Sequence, residues 1–316
     1  MCDVAPHKLR IQLAPLQGYT EAPFRNALEE CFGGVDVFYT PFLRIEHGEV
    51  RKRSLRDALP EVNKVSCIVP QIIASTHDEA QILVNALSDQ GHQRIDINMG
   101  CPFPALALRG KGSGILSQPD RVFDVLRVVQ ENPSIRFSVK MRLGYEQPDE
   151  CLALLPILND TDLVQVAVHA RVGKQQYKGV CNLQAFAQFA EGCRHPLYYN
   201  GDVCTLQDIE SLHTQYPYLE GVMMGRGLLA HPWIAYEYAS GNSLSDGKRQ
   251  ECMRRFHAYL FDYYAQHLEG GEAQLLQKMK TFWEYLMPEV DRKLLKRIHK
   301  SHCIADYTAA VHQIFL

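Results

Sequence analysis

Eight short apolar runs recur along the first two-thirds of the chain, each followed by an amphipathic stretch. They cover residues 11–14, 35–39, 66–72, 94–98, 137–141, 164–169, 196–200 and 221–224. A repeat of roughly 25–40 residues is the length of one strand–helix unit. Eight units predict an α/β fold, a (β/α)8 barrel of the TIM type, which needs roughly 250 residues. A doubly wound parallel sheet gives the same alternation and stays open at this level. Thr76 with Glu79 has the spacing of a helix-capping box before an apolar-periodic run, and Ser117 with Asp120 predicts a second helix start.

The rhythm stops near residue 243. "ASGNSLSDGKRQ" is polar and small, and the residues after it carry no strand signal. Amphipathic spacing predicts helices at 249–268, 273–286 and 292–302. The expected division is a barrel over 1–243 and a small helical domain over 244–316. At 316 residues the chain has room for both, since single cores rarely grow past roughly 250–300 residues.

Composition then removes several classes of function. No run approaches the roughly 18 apolar residues of a membrane span, and "MCDVAPHKLR" lacks an apolar leader core. A cytoplasmic protein that does not enter the membrane is expected, acting as a monomer. Ten cysteines are scattered without a C-x-x-C pair or a tight Cys/His cluster, which argues against a metal site and a disulfide framework. The net charge of −3 supplies no general attraction to nucleic acid, so such a partner needs a local basic face.

Chemistry-bearing residues collect where a barrel has its open face, at the C-terminal ends of the strands. The first run ends in Ala14–Pro15–Leu16–Gln17–Gly18, the third contains Gln71, and the fourth ends in Asn98 before Gly100–Cys101–Pro102. In "FSVKMRLG" the two-residue alternation puts Ser138, Lys140 and Arg142 on one face; in "VQVAVHAR" it pairs His169 with Arg171. Taken singly, Lys140 reads as half of a buried ion pair with Asp96, and His169 as a satisfied core histidine. Asn200–Gly201 reads as a turn and Arg226 as a surface residue. Together they mark one rim. The glycines of "NGD" at 200–202 and "GRG" at 225–227, with Arg226, suit a phosphate group at the last two strands. "GKGSG" at 110–114 lacks the spacing of a nucleotide loop and reads as a flexible, basic lid beside Cys101.

These residues carry a family resemblance. In order, "LAPLQGYTEAPFR", "QI", "IDINMGCP", "SVKMRLG", "VHAR…QQYKG", "YYNGDV" and "GVMMGRGLLAHPWI" resemble the motifs of tRNA-dihydrouridine synthases. "QKMKTFWEYL" is similar, more loosely, to that family's C-terminal helix. The resemblance implies an FMN-dependent oxidoreductase that reduces the C5=C6 bond of a uridine in tRNA, with NADPH as reductant. It implies hydride from flavin N5 to C6 and a proton from Cys101 to C5. Pro15, Leu16 and Gln17 would line the flavin; Gln71 and Lys140 would hydrogen-bond its ring. His169, Asn200, Gly201, Asp202, Gly225 and Arg226 would hold its phosphate end. Asn98, Arg142 and Arg171 would face the substrate. Two departures stand out: Phe103–Pro104–Ala105 where the family has a serine and a basic residue, and Val172 where it has a threonine. Arg109 and Lys111 are candidates to replace the missing basic contacts.

From 278 to 302 the chain carries seven Lys/Arg against three acidic residues, within a net-acidic protein. Lys278, Lys280, Lys293 and Arg297 are expected to contact the tRNA backbone. Two other readings remain open: an FMN barrel acting on a free pyrimidine, and a non-catalytic RNA-binding barrel. Which uridine is reduced is also left open.

Overall fold

The structure is a computed structural model that describes residues 8–315; the N-terminal segment 1–7, read above for a leader, lies outside the described residues. The strands are β1 (Arg10–Leu13), β2 (Val37–Tyr39), β3 (Ile45–Glu46), β4 (Glu49–Val50), β5 (Ile68–Val69), β6 (Gln71–Ile72), β7 (Arg94–Met99), β8 (Arg136–Gly144), β9 (Leu163–Val172), β10 (Leu197–Asn200) and β11 (Gly221–Met224). One parallel sheet runs in the order β5-β2-β1-β11-β10-β9-β8-β7-β6. Its two outer members are separated only by Pro70, so the sheet closes through one continuous stretch of chain. Proline has no N–H to give to a ladder, and the third run of the barrel is split there. Its carbonyl still accepts the amide of Asp96 at 2.9 Å. The molecule is thus a (β/α)8-type barrel, and the doubly wound alternative falls away because the sheet has no open edge.

The first and second expected strands start within two residues of the observed ones; β8 and β9 run longer on both sides. A small hairpin, β3–β4, and the helix Lys52–Ala58 were not foreseen. Thr76 caps as expected, its hydroxyl accepting from Glu79 N. Ser117 does not: the next helix begins one residue later, at Pro119, because proline in the first turn fixes φ where no intrahelical N–H is needed.

Two apolar layers hold the barrel. Val37, Tyr39, Val69, Ala167, Tyr198 and Met223 fill the inside with Ala14. A larger core lies between strands and helices and runs without a break into the C-terminal helices Asp246–His267, Gly271–Phe282, Arg292–Lys300 and Ile304–Ile314. Phe24, on the first barrel helix, meets Phe256 edge-on at 5.3 Å and stacks with Phe282 at 6.0 Å. The last helix was missed in the sequence because its N-cap is Cys303, which makes no side-chain capping bond. Among the described residues no helix is long and apolar enough to cross a membrane.

Candidate functional site

Parallel register decides which side chains meet inside the barrel. Gln71 stands beside Asp96, Asp96 beside Ser138, and Asn98 beside Lys140. Alternation then directs Ser138, Lys140 and Arg142 to one side, as expected from the sequence. At the strand ends a cavity of about 820 Å³ opens. That volume is in the range of cofactor and ligand sites, roughly 300–1,000 Å³.

Pro15, Leu16, Gln17, Asn98, Cys101, Lys140, Arg142, His169, Asn200, Gly201, Asp202, Gly225 and Arg226 all line this cavity. Lys140 Nζ donates to Asn200 Oδ1 at 2.9 Å, and Asn200 Nδ2 donates to Met223 O at 2.6 Å. The expected Lys140–Asp96 ion pair is not made; Asp96 accepts from Gln71 Nε2 at 2.7 Å and Ser138 Oγ at 2.5 Å. Burial, then Arg142 nearby, pulls the Lys140 ammonium down to about 8 against the opposing pull of Asp96. Burial also pushes the Asp96 carboxyl up to about 7. His169 is held well below its ordinary value by burial and by the surrounding Arg142, Lys140 and Arg171, so it stays neutral.

Arg226 and Arg171 converge on Asp202. Arg226 Nη2 donates to Oδ1 at 2.7 Å, and Arg171 donates to both carboxylate oxygens. Burial opposes the Asp202 charge, yet Arg171 and Arg226 bring its carboxyl below the usual range. An acceptor-only carboxylate repels a phosphate, and both oxygens of Asp202 are spent on Arg171 and Arg226. Gly201 and Asp202 both have positive φ, 140° and 49°, and a Cβ at 201 would lie 2.6 Å from Cys181 Sγ.

Two expected site residues do not line the cavity. Gln71 is fully buried with both ends of its amide engaged, accepting from Asn98 Nδ2 at 2.7 Å and donating to Asp96. Arg171 is 1% exposed and also donates to Gly179 O. Gln71 Oε1 and Nε2 have one side-chain partner each, and Arg171 Nε is buried without a hydrogen-bond partner.

Cys101 sits on a pinned loop, and residues 110–114 beside it, expected as a flexible basic lid, are buried. Asn98 Oδ1 accepts from Gly100 N at 3.0 Å and Cys101 N at 2.8 Å, and Ser113 N and Oγ donate to Cys101 O at 2.9 and 3.0 Å. Lys111 is buried against Glu79 at 2.7 Å and is not available to a substrate; Arg109 is exposed. Burial pushes the Cys101 thiol up, while a backbone contact at Phe103 and the charges of Arg142 and Lys140 pull it down; the net direction is upward. The sulfur is therefore a thiol at neutral pH, able to give a proton.

Several lining residues were not singled out from the sequence. Two guanidinium groups approach the ring of Tyr177, Arg142 at 5.6 Å and Arg226 at 5.0 Å from its centre. Glu284 and Tyr285 reach the cavity from the helical tail, with Tyr19 Oη donating to Glu284 at 2.6 Å. The tail's other basic residues divide. Lys278 is tied to Glu21 and to Gly18 O, and Lys280 to Ser301 O, which fixes helices rather than presenting charge outward. Lys293 and Arg297 are exposed on a helix whose Arg292, Lys296 and Lys300 are exposed too.

Comparison with known proteins gives the family. A family model described as dihydrouridine synthase matches residues 12–300. The chain is 29% identical to a tRNA-dihydrouridine(16) synthase of Neisseria meningitidis, over 76% of this chain and 74% of that protein. It is 30% identical to a probable tRNA-dihydrouridine synthase of Helicobacter pylori, over 71% and 68%. With a probable tRNA-dihydrouridine synthase 2 of Bacillus subtilis it shares 29% identity over 80% and 78%. Solved structures share the fold at lower identity. A 2-naphthoyl-CoA reductase aligns with TM-score 0.56 at 8% identity, covering 74% of this chain and 50% of that one. A morphinone reductase variant in complex with tetrahydroNAD aligns with TM-score 0.53 at 11%, covering 78% and 90%. A barrel mouth joining the Cys101 thiol to a row of cations, on a sequence matched from Gln12 to Lys300, places the chain in the dihydrouridine synthase family.

Proposed function

We propose that this chain reduces a uridine of tRNA to 5,6-dihydrouridine in the cytoplasm, working as a monomer with FMN as cofactor and NADPH as its reductant. The observation that carries the reading is one cavity lined both by the Cys101 thiol and by Lys140, Asn200 and Arg226. Among the described residues no carboxylate pairs with Lys140 or Arg142, so the cavity holds cationic groups in want of an anion. That donor set fits an anionic, phosphorylated cofactor. Bound FMN supplies the two electrons that saturate the C5=C6 bond.

The protein's own groups do the rest. Lys140 places positive charge where negative charge gathers, and burial strengthens that interaction. Arg226, held by Asp202, is the phosphate-end contact; His169 is neutral and offers a ring nitrogen without adding charge. Cys101 delivers the proton to C5 of the uracil, since reduction at C6 leaves enolate-like charge on the C4–C5 unit and a protonated thiol is the acid at hand. The base has to leave its stack to reach the cavity, which costs a few kcal/mol. Residues 244–316 are the tRNA-facing portion, with the exposed basic helix Arg292–Lys300 as backbone contact.

The names of the relatives support tRNA over a free pyrimidine as substrate, and the thiol at the mouth favours catalysis over simple RNA binding. The test is dihydrouridine mapping in tRNA from cells lacking the protein. One position should lose the modification and regain it with the wild-type gene but not with Cys101→Ala. An unchanged map refutes the reading.

A further inference from the structure

A buried carboxyl that touches neither the cavity nor another charge needs a reason. Asp96 is fully buried inside the barrel, and its two hydrogen bonds come from Ser138 and Gln71. Burying a carboxyl costs several kcal/mol unless its lone pairs are used. What uses them is legible from the other end of a chain of bonds.

Gly100 and Cys101 present backbone N–H groups, which can only donate. Asn98 must meet them with its carbonyl oxygen, and it does, at 3.0 and 2.8 Å. Its Nδ2 then points away and must find an acceptor, which is Gln71 Oε1 at 2.7 Å. That turns Gln71 Nε2 toward Asp96, where it needs an acceptor in turn and finds Oδ2 at 2.7 Å. Each amide hands its direction to the next. A donor at position 96 would leave Gln71 facing a donor and free both amides to rotate. All three residues are 7% exposed or less, so water does not substitute for a missing link.

We propose that Asp96 is a positioning residue for Cys101: through Gln71 and Asn98 it fixes the polarity of a buried amide chain whose far end holds the Gly100–Cys101 backbone. This rests on the reading of Cys101 as the proton donor. The second support of the loop, Ser113 on Cys101 O, holds the carbonyl and leaves the amide side to this chain. Arg142 Nε donates to Gly100 O at 2.9 Å, so the loop is gripped on its carbonyls from one side and on its amides from the other.

Only an acceptor is needed at position 96, which makes the proposal separable from a general need for charge. In Asp96→Asn the side-chain carbonyl can still accept from Gln71, while the Ser138 hydroxyl turns to accept from the new amide. Asp96→Leu removes the acceptor, and Gln71→Met cuts the chain in the middle. The experiment follows iodoacetamide labelling of Cys101, read on its own peptide by mass spectrometry in the purified full-length protein, together with kcat and KM for tRNA per bound cofactor. Asp96→Leu and Gln71→Met should change the Cys101 labelling rate several-fold and lower kcat by about tenfold or more, leaving KM within about twofold. Asp96→Asn should remain within about twofold of wild type in both. Unchanged labelling and kcat in a folded Asp96→Leu or Gln71→Met protein overturns the proposal. So does an Asp96→Asn protein with labelling and kcat altered as much as expected for Asp96→Leu, and this variant decides alone if the other two do not fold. Turnover of Cys101→Ala at the wild-type rate would remove the proton-donor role, while the labelling arm still judges the chain of amides.

Discussion

Lys278 Nζ, on the helical tail, lies 2.8 Å from Glu21 Oε2 at the start of the first barrel helix and 2.7 Å from the carbonyl of Gly18. The same ammonium faces the rings of Tyr264 and Phe282 at 4.9 and 5.2 Å. Tail and barrel are thus fastened at the turn that carries Gln17 into the cavity.

Lys278→Met should lower stability by roughly 1–3 kcal/mol, the range for a hydrogen-bonded charge whose partner is left partly buried. Burial works against Glu21, but Lys278 and Arg53 depress its carboxyl below the ordinary 4.5. A depressed carboxylate stabilises above its unfolded value and loses that contribution as pH falls through the folded one. The difference between wild type and variant in urea midpoint should therefore be full at pH 7 and shrink in acid. A pH-independent difference would contradict the pairing.

Asp96 supplies the opposite sign. Its carboxyl rises from 3.8 to about 7 on folding, so the native state holds an extra proton between those values and stability from this group declines as pH climbs through them. Asp96→Asn carries no such proton. Its thermal midpoint relative to wild type should be higher at pH 8 than at pH 4, and an unchanged gap would show that Asp96 ionises as easily folded as unfolded.

Lys140→Met should weaken FMN binding by about 10–100-fold, measured by flavin fluorescence quenching. In the wild type the ammonium is charged below about 8, so affinity should be greatest there and fall as pH rises past it. In the variant that fall should vanish. Equal affinity in the two proteins would remove Lys140 from the cofactor site.

Arg226→Ala should likewise weaken FMN binding, and Asp202→Asn should do so less, because Asp202 acts by aiming Arg226. Titration of FMN into each apoprotein checks the order. The reverse order would make Asp202 the direct contact.

Replacing Lys293, Lys296, Arg297 and Lys300 by alanine should reduce the slope of log affinity for tRNA against log salt by roughly 3–4, since each neutralised phosphate contributes about 0.9 or slightly less. Filter binding at several salt concentrations measures it. An unchanged slope would move the nucleic-acid face elsewhere on the molecule.

The barrel was readable because its signal is local and repeated: each apolar run and its helix cover one unit, and register follows. Ser138, Lys140 and Arg142 share a side for the same reason, two-residue alternation. What stayed hidden depends on contacts distant in sequence. Nothing near Lys111 in the chain announces Glu79 as its partner, and nothing near Gln71 tells which of its amide ends faces Asn98. Pro70 was inside an expected strand, where its missing N–H was the available warning of a break. Lys278 and Lys280 counted as free charge in a linear tally; their side chains are used between helices. Glu284 and Tyr285 needed the tail to fold back over the mouth, which no periodicity encodes.

The tail's share in the cavity wall has an evolutionary corollary. Glu284 and Tyr285 border the same space as Cys101, so on the proposed function the tail that would hold tRNA also shapes the chamber in which the base would react. Drift in how the polymer is held would then be felt at once by the reacting nucleotide, so new target preference and retained turnover would have to be inherited together, as a single trait.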